Sequence, residues 1–120
     1  MRRLEASFLK DILSAAGKIE AITAATSETS FLNDEVLPAA VLHHLTVIGE
    51  AINCLSPELK SRHPDVPWQQ IIAVRHRIVH AYFDLDWQIL WNAAVDEIPR
   101  LRKQITEILE SEFPSADQRC

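Results

Sequence analysis

The sequence predicts an all-α fold, an up-and-down helical bundle. Apolar residues recur at intervals of three and four along most of the chain, which puts them on one face of a helix. Only two glycines occur in 120 residues, few for a protein built on tight β-turns. Long stretches of Ala, Leu, Ile and Glu are made of good helix formers. A chain of this length forms one domain over residues 1–120 and can bury a core without disulfides or a structural metal.

The first helix is expected from about Arg2 to Ala25, with Leu4, Phe8, Ile12, Ala15, Ile19 and Ile22 on one face. Gly17 weakens its middle by up to about 1 kcal/mol relative to alanine; it either admits a close helix contact or is simply tolerated. Thr26 to Asn33 is polar apart from Phe31 and Leu32 and reads as a loop. Asn33 or Asp34 can cap a second helix running to about Leu55, because a short side-chain oxygen accepts from the unpaired amides of a first turn. Its stripe is Leu37, Val41, Leu45, Ile48, Ile52 and Leu55, and Pro38 is tolerable only near its start.

Ser56-Pro57 signals a cap and first turn of a short helix to about Arg62. His63-Pro64-Asp65-Val66-Pro67 is a stiff connector, with Asp65 as the expected cap of a central helix from about Pro67 to Phe83. Asp86 caps the last helix, whose apolar face is Trp87, Leu90, Trp91, Ala94 and Val95. Pro99 should end or kink it near Ile98, giving a kinked C-terminal helix that continues through Leu101, Ile105, Ile108, Leu109 and Phe113. Ser115 to Cys120 is expected to fray.

The net charge of −5 argues against broad, non-specific nucleic-acid binding, while leaving room for a local basic patch. Arg100, Arg102 and Lys103 read as a solvated face. Cys54 and Cys120 lack metal-like spacing, as in a reduced compartment. No apolar run approaches the ~20 residues of a membrane span, and Glu5 and Asp11 interrupt any signal-like core. The expectation is a cytoplasmic protein with no membrane partner.

The densest chemistry lies in Ala73-Val74-Arg75-His76-Arg77-Ile78-Val79-His80-Ala81-Tyr82-Phe83, which holds two arginines, two histidines and the only tyrosine. On a helical wheel at about 100° per residue, Ile71, Val74, Ile78 and Ala81 share an arc that would face the core. Arg75, Val79 and Tyr82 cluster on a second arc, and His76, His80 and Phe83 on a third. Arg75 and His80, about 140° apart on that wheel, would not stack, yet both could line one groove. Two copies of the helix in a symmetric dimer would bring the pairs together more easily. Upstream, Glu50 after Gly49 is either a buried acid needing an arginine partner or an exposed one. His43 and His44 read as surface or boundary residues.

Arginine offers a planar donor fork for phosphate, and histidine transfers protons near neutral pH. Together they suffice for metal-independent RNA cleavage without a cofactor. His80 would take the proton of a ribose 2′-hydroxyl and Arg75 would stabilise charge on the phosphate. Two other readings stay open: structurally satisfied histidines, with Glu50 as a possible partner, and a metal site from His76, His80 and Asp84, for which no fourth ligand is evident.

The pattern Arg75-x4-His80-x-Tyr82 resembles the motif of HEPN domains of the HepT type, and His76 fits the polar position after the arginine. Val47-Ile48-Gly49-Glu50-Ala51 resembles that family's glycine–glutamate turn. Asp65-Val66-Pro67-Trp68 resembles the lead-in to its motif helix, and Tyr82-Phe83 with Asp86 and Trp91 the segment after it. The resemblance implies an all-helical, dimeric toxin with ribonuclease activity assigned to the Arg and His, here Arg75 and His80, supported by His76 and Glu50. It implies as partner a minimal (MNT-domain) nucleotidyltransferase antitoxin that transfers AMP to the motif tyrosine, here Tyr82. His43-His44 stands where relatives often carry Arg-Asn, implying weaker or pH-dependent RNA affinity. The rival reading is a non-catalytic subunit presenting a nucleotide or substrate to such a nucleotidyltransferase.

Overall fold

Helix α1 (Arg2–Ala24) is the spine against which the chain packs. The computed structural model describes residues 2–81 and 84–114, with the side chains of residues 2, 3, 80 and 81 outside that description. In α1 the buried positions are Ala6, Leu9, Ile12, Ala15, Ala16 and Ile19. They lie between two long helices, α3 (Val36–Cys54) and α7 (Ile98–Glu112). Leu4, expected on the apolar face, is 55% exposed because the packed stripe runs one step round from it, through Ala6 and Leu9. A Cβ on the exposed Gly17 would meet nothing within 4 Å, so this glycine serves no close contact.

The expected loop after α1 contains a short helix, α2 (Glu28–Leu32). The Ser27 hydroxyl accepts from Ser30 N at 3.2 Å, and Phe31 is fully buried, its ring 5.0 Å from that of Trp91. Asp34 then caps α3, its Oδ1 accepting from Val36 N at 2.7 Å and Leu37 N at 2.9 Å. These two amides hold the Asp34 carboxyl below its ordinary pKa. Val41, Leu45, Ile48, Ile52 and Leu55 are buried as expected. By length and composition α3 would be enough to cross a membrane, which the sequence reading did not anticipate. In the bundle its apolar stripe is covered by α1 on one side and α5 (Trp68–Ile78) on the other.

Helix α4 (Pro57–Arg62) is capped as predicted, the Ser56 hydroxyl accepting from Leu59 N at 3.1 Å. Ser56 N in turn donates to Glu5 Oε1 of α1 at 2.9 Å. The connector is anchored by buried Trp68, whose indole N–H lies 3.2 Å from Lys60 O and 3.1 Å from His63 O. Asp65 does not cap α5. The residue before that helix is Pro67, no side chain caps it, and Asp65 offers its backbone carbonyl to Gln104.

The largest departure is at the end of α5. It stops at Ile78, and Val79–Ala81 (β1) pairs antiparallel with Asp84–Leu85 (β2), with an irregular register. The β-branched pair Ile78-Val79 is a weak place to continue a helix, and the Ile78 carbonyl accepts from Asp86 N at 2.8 Å. The fold class is all-α, with this ribbon as its one extended feature among the described residues.

Asp86 caps α6 (Trp87–Asn92), accepting from Ile89 N at 3.1 Å. Pro99 does not stop the chain. A π-turn segment, Ala93–Glu97, precedes it, and Ile98 N bonds back to Ala93 O, five residues earlier. Proline has no N–H to continue an α-ladder, and one extra residue per turn absorbs the fault. The same extra residue turns Val95 outward, leaving it 37% exposed where the continuous wheel placed it inside. In α7, Leu101, Ile105, Ile108 and Leu109 are buried, followed by Phe113. The expected frayed tail, Ser115 to Cys120, lies outside the described residues.

The far end of α7 is clasped to α4. Arg62 Nη2 donates to Glu112 Oε1 at 2.7 Å, and His63 Nε2 meets Glu112 Oε2. The Arg62 hydrogen bond, joined by that of His63, outweighs burial and keeps the Glu112 carboxyl below its ordinary value of 4.5. The native state therefore binds fewer protons at this site than the unfolded chain. The contribution is complete above about pH 4.5 and is lost as pH falls through the lowered native value. Glu112→Gln is expected to flatten this part of the acid stability profile, measured by urea unfolding at a series of pH values below about 5.

Candidate functional site

Between α3 and α5 lies an open cleft of about 360 Å³. Buried Leu45 and Ile71 form its apolar floor. Thr46, Gly49, Glu50 and Asn53 make the α3 wall, and Ile72, Arg75 and His76 the α5 wall. Thr46, Glu50 and Asn53 follow one another by four and three residues, so a single face of α3 presents them. Ile71, Val74 and Ile78 turn the adjoining face of α5 into the core, as the wheel predicted.

Arg75, His76 and Glu50 are exposed. Among the described residues, neither Arg75 nor Glu50 has an ion-pair partner. Of the two readings of Glu50, the exposed acid is the one found. Arg77 behaves differently: its Nη2 lies 3.4 Å from Glu97 Oε1, at the π-turn segment. The stretch thus contributes one arginine to the cleft and one to the scaffold.

The backbone of His80 lies in β1, after α5 has ended. The five-residue helical offset from Arg75 therefore does not apply. Its side chain, and the whole of Tyr82, lie outside the described residues. His76, His80 and Asp84 do not share a helix, so the four-residue spacing behind the metal reading has no helical meaning. Among the described residues no group of three potential ligands assembles. His43 is exposed and His44 half-buried, their rings edge to face at 5.2 Å. Burial, then His43 and Lys18, push the His44 pKa below its ordinary value.

The sequence reading missed Thr46 and Asn53. The signal was present in the polar residues recurring at 46, 50 and 53 beside Gly49 in an otherwise apolar helix. The Thr46 hydroxyl donates to Leu42 O at 2.9 Å, which commits its proton and leaves its oxygen able only to accept.

The all-α bundle agrees with a domain of the HEPN type. The chain matches the family described as "Ribonuclease HepT-like" over residues 12–108 and belongs to that family. It is 32% identical over 108 residues to "Probable ribonuclease HepT" of Thermococcus cleftensis, covering 90% of this chain and 98% of that one. It is 40% identical over 82 residues to "Putative RNase TTE0752" of Caldanaerobacter subterraneus subsp. tengcongensis, covering 68% and 73%. "Putative RNase MJ1380" of Methanocaldococcus jannaschii is 29% identical over 99 residues, covering 82% and 91%. No solved structure matches the chain significantly.

The cleft wall yields a stability prediction. A Cβ at Gly49 would meet nothing within 4 Å, and glycine inside a helix is unfavourable relative to alanine. Gly49→Ala is expected to raise unfolding free energy by about 0.5–1 kcal/mol, read from the urea midpoint at unchanged slope. A decrease would mean that the wall is closed against even a methyl group.

Proposed function

We propose that this protein is a metal-independent endoribonuclease, the toxin of a toxin–antitoxin pair, acting in the cytoplasm as a homodimer. The observation that carries the reading is Arg75, exposed on the cleft wall without an ion-pair partner among the described residues, beside His76. A guanidinium left unpaired in a concave site is suited to an incoming phosphate. The family membership adds the ribonuclease class.

In this mechanism His80 accepts the proton of a ribose 2′-hydroxyl. The 2′-oxygen forms a bond to the adjacent phosphorus while the bond from phosphorus to the 5′-oxygen breaks. The leaving 5′-oxygen takes a proton from solvent. The products are a 2′,3′-cyclic phosphate and a 5′-hydroxyl end. Arg75 stabilises the charge that builds on the non-bridging oxygens; His76 supports it on the same wall, and Glu50 supports the site from the α3 wall, away from the phosphate. Inactivation is by an MNT-type nucleotidyltransferase partner. The Tyr82 hydroxyl attacks the α-phosphorus of ATP, its proton passing to solvent, pyrophosphate leaves, and Tyr82 carries the AMP.

Two experiments test this. The purified protein is expected to cleave RNA in EDTA and leave cyclic phosphate ends, and Arg75→Ala to slow the reaction by about 10²–10³-fold. Activity that disappears in EDTA and returns with a divalent cation would refute the metal-independent mechanism. Absence of cleavage together with tight binding to a nucleotidyltransferase would favour a binding subunit. Incubation with the partner enzyme and ATP is expected to add one AMP mass to the wild type and none to Tyr82→Phe. A Tyr82→Phe protein that still gains AMP would reject that site.

A further inference from the structure

We infer that the α3 wall of the cleft reads a nucleobase, and that the base is guanine. The inference rests on the ribonuclease reading of the same cleft and concerns its specificity. Glu50 is an exposed carboxylate on the α3 wall, opposite the wall that carries Arg75, and forms no ion pair with it. An ionised carboxylate only accepts hydrogen bonds, so it repels a phosphate and needs N–H or O–H donors from whatever fills the cleft. Asn53, three residues on, is its neighbour on the helix face. The Thr46 oxygen, its proton committed to Leu42 O at 2.9 Å, is a further acceptor on the same face.

Single-stranded RNA presents unpaired bases whose Watson–Crick edges are open to side chains. Among the four, only guanine places two donors side by side, N1–H and the N2 amino group, matching the two oxygens of Glu50. Its neighbouring O6 accepts, matching the Asn53 amide N–H. Cytosine and adenine each offer one amino group next to an acceptor, and the single uracil imino group lies between two carbonyls that would face the carboxylate. The volume of about 360 Å³ is on the scale of one nucleotide unit. Arg75 on the far wall would take the phosphate while Glu50 and Asn53 take the base.

The test uses oligoribonucleotides that differ at one base, each in a cleavable form and a 2′-O-methyl form that cannot undergo 2′-hydroxyl attack. Cleavage rate and fluorescence-anisotropy affinity are measured for the wild type and Glu50→Gln. Because Glu50 is exposed and has no ion-pair partner among the described residues, the variant is expected to keep the wild-type thermal unfolding midpoint. The wild type should favour guanine by about tenfold in both readouts, and Glu50→Gln should flatten that preference. Guanine-selective binding flattened by Glu50→Gln, without cleavage of the unmodified RNA, would overturn the ribonuclease reading and support the base reading. Cleavage with no guanine preference, or with a preference that Glu50→Gln leaves intact, would overturn the base reading alone.

Discussion

The structure depends on α3 having more apolar surface than one partner can cover. Its stripe from Val41 to Leu55 is wide enough to need α1 on one flank and α5 on the other. Burying such a stripe is the main favourable term in assembling helices. Where α5 packs against α3, the two cylinders leave a furrow as their surfaces diverge outward. The cleft is that furrow, and its floor is the outermost layer of the same core, Leu45 and Ile71. Arg75 is therefore held by the packing of Ile71, Val74 and Ile78 on the adjoining face of its own helix, with no ion pair among the described residues.

Much of this was legible from residue spacing. The stripes of α3 and α7, the Ser56 and Asp86 caps and the core face of α5 all follow from helical periodicity and capping chemistry. What was not legible depends on contacts distant in sequence. Thr26 to Asn33 reads as a loop because its helix has a single large anchor, Phe31, which is stable only once Trp91 is beside it. The end of α5 is set by Asp86 N reaching back to the Ile78 carbonyl, a bond that no local pattern announces.

The candidate site shows the same division. Arg75 and His76 stand out because charged and imidazole groups cluster beside an apolar face, and Glu50 because it follows Gly49 in an apolar turn. Their sharing one cleft is a consequence of α3 and α5 packing together, which a helical wheel drawn on one helix cannot contain. The wheel also carried an assumption of continuity past Ile78, and so assigned His80 an angle on a helix that had already ended.

The π-turn at Ala93–Glu97 has a consequence for how this region tolerates change. Before it, α6 lies against α2, α3 and α5; after it, α7 lies against α1. One continuous rod thus serves two separate sets of neighbours, and the wide turn sets the phase between its halves. Substitutions here alter a contact, whereas a further insertion alters the angle of everything downstream. One residue beyond the extra one that the wide turn already absorbs would turn α7 by roughly 100° about its axis and carry Leu101, Ile105 and Ile108 out of the core together. In this part of the chain, length is constrained more tightly than side-chain identity.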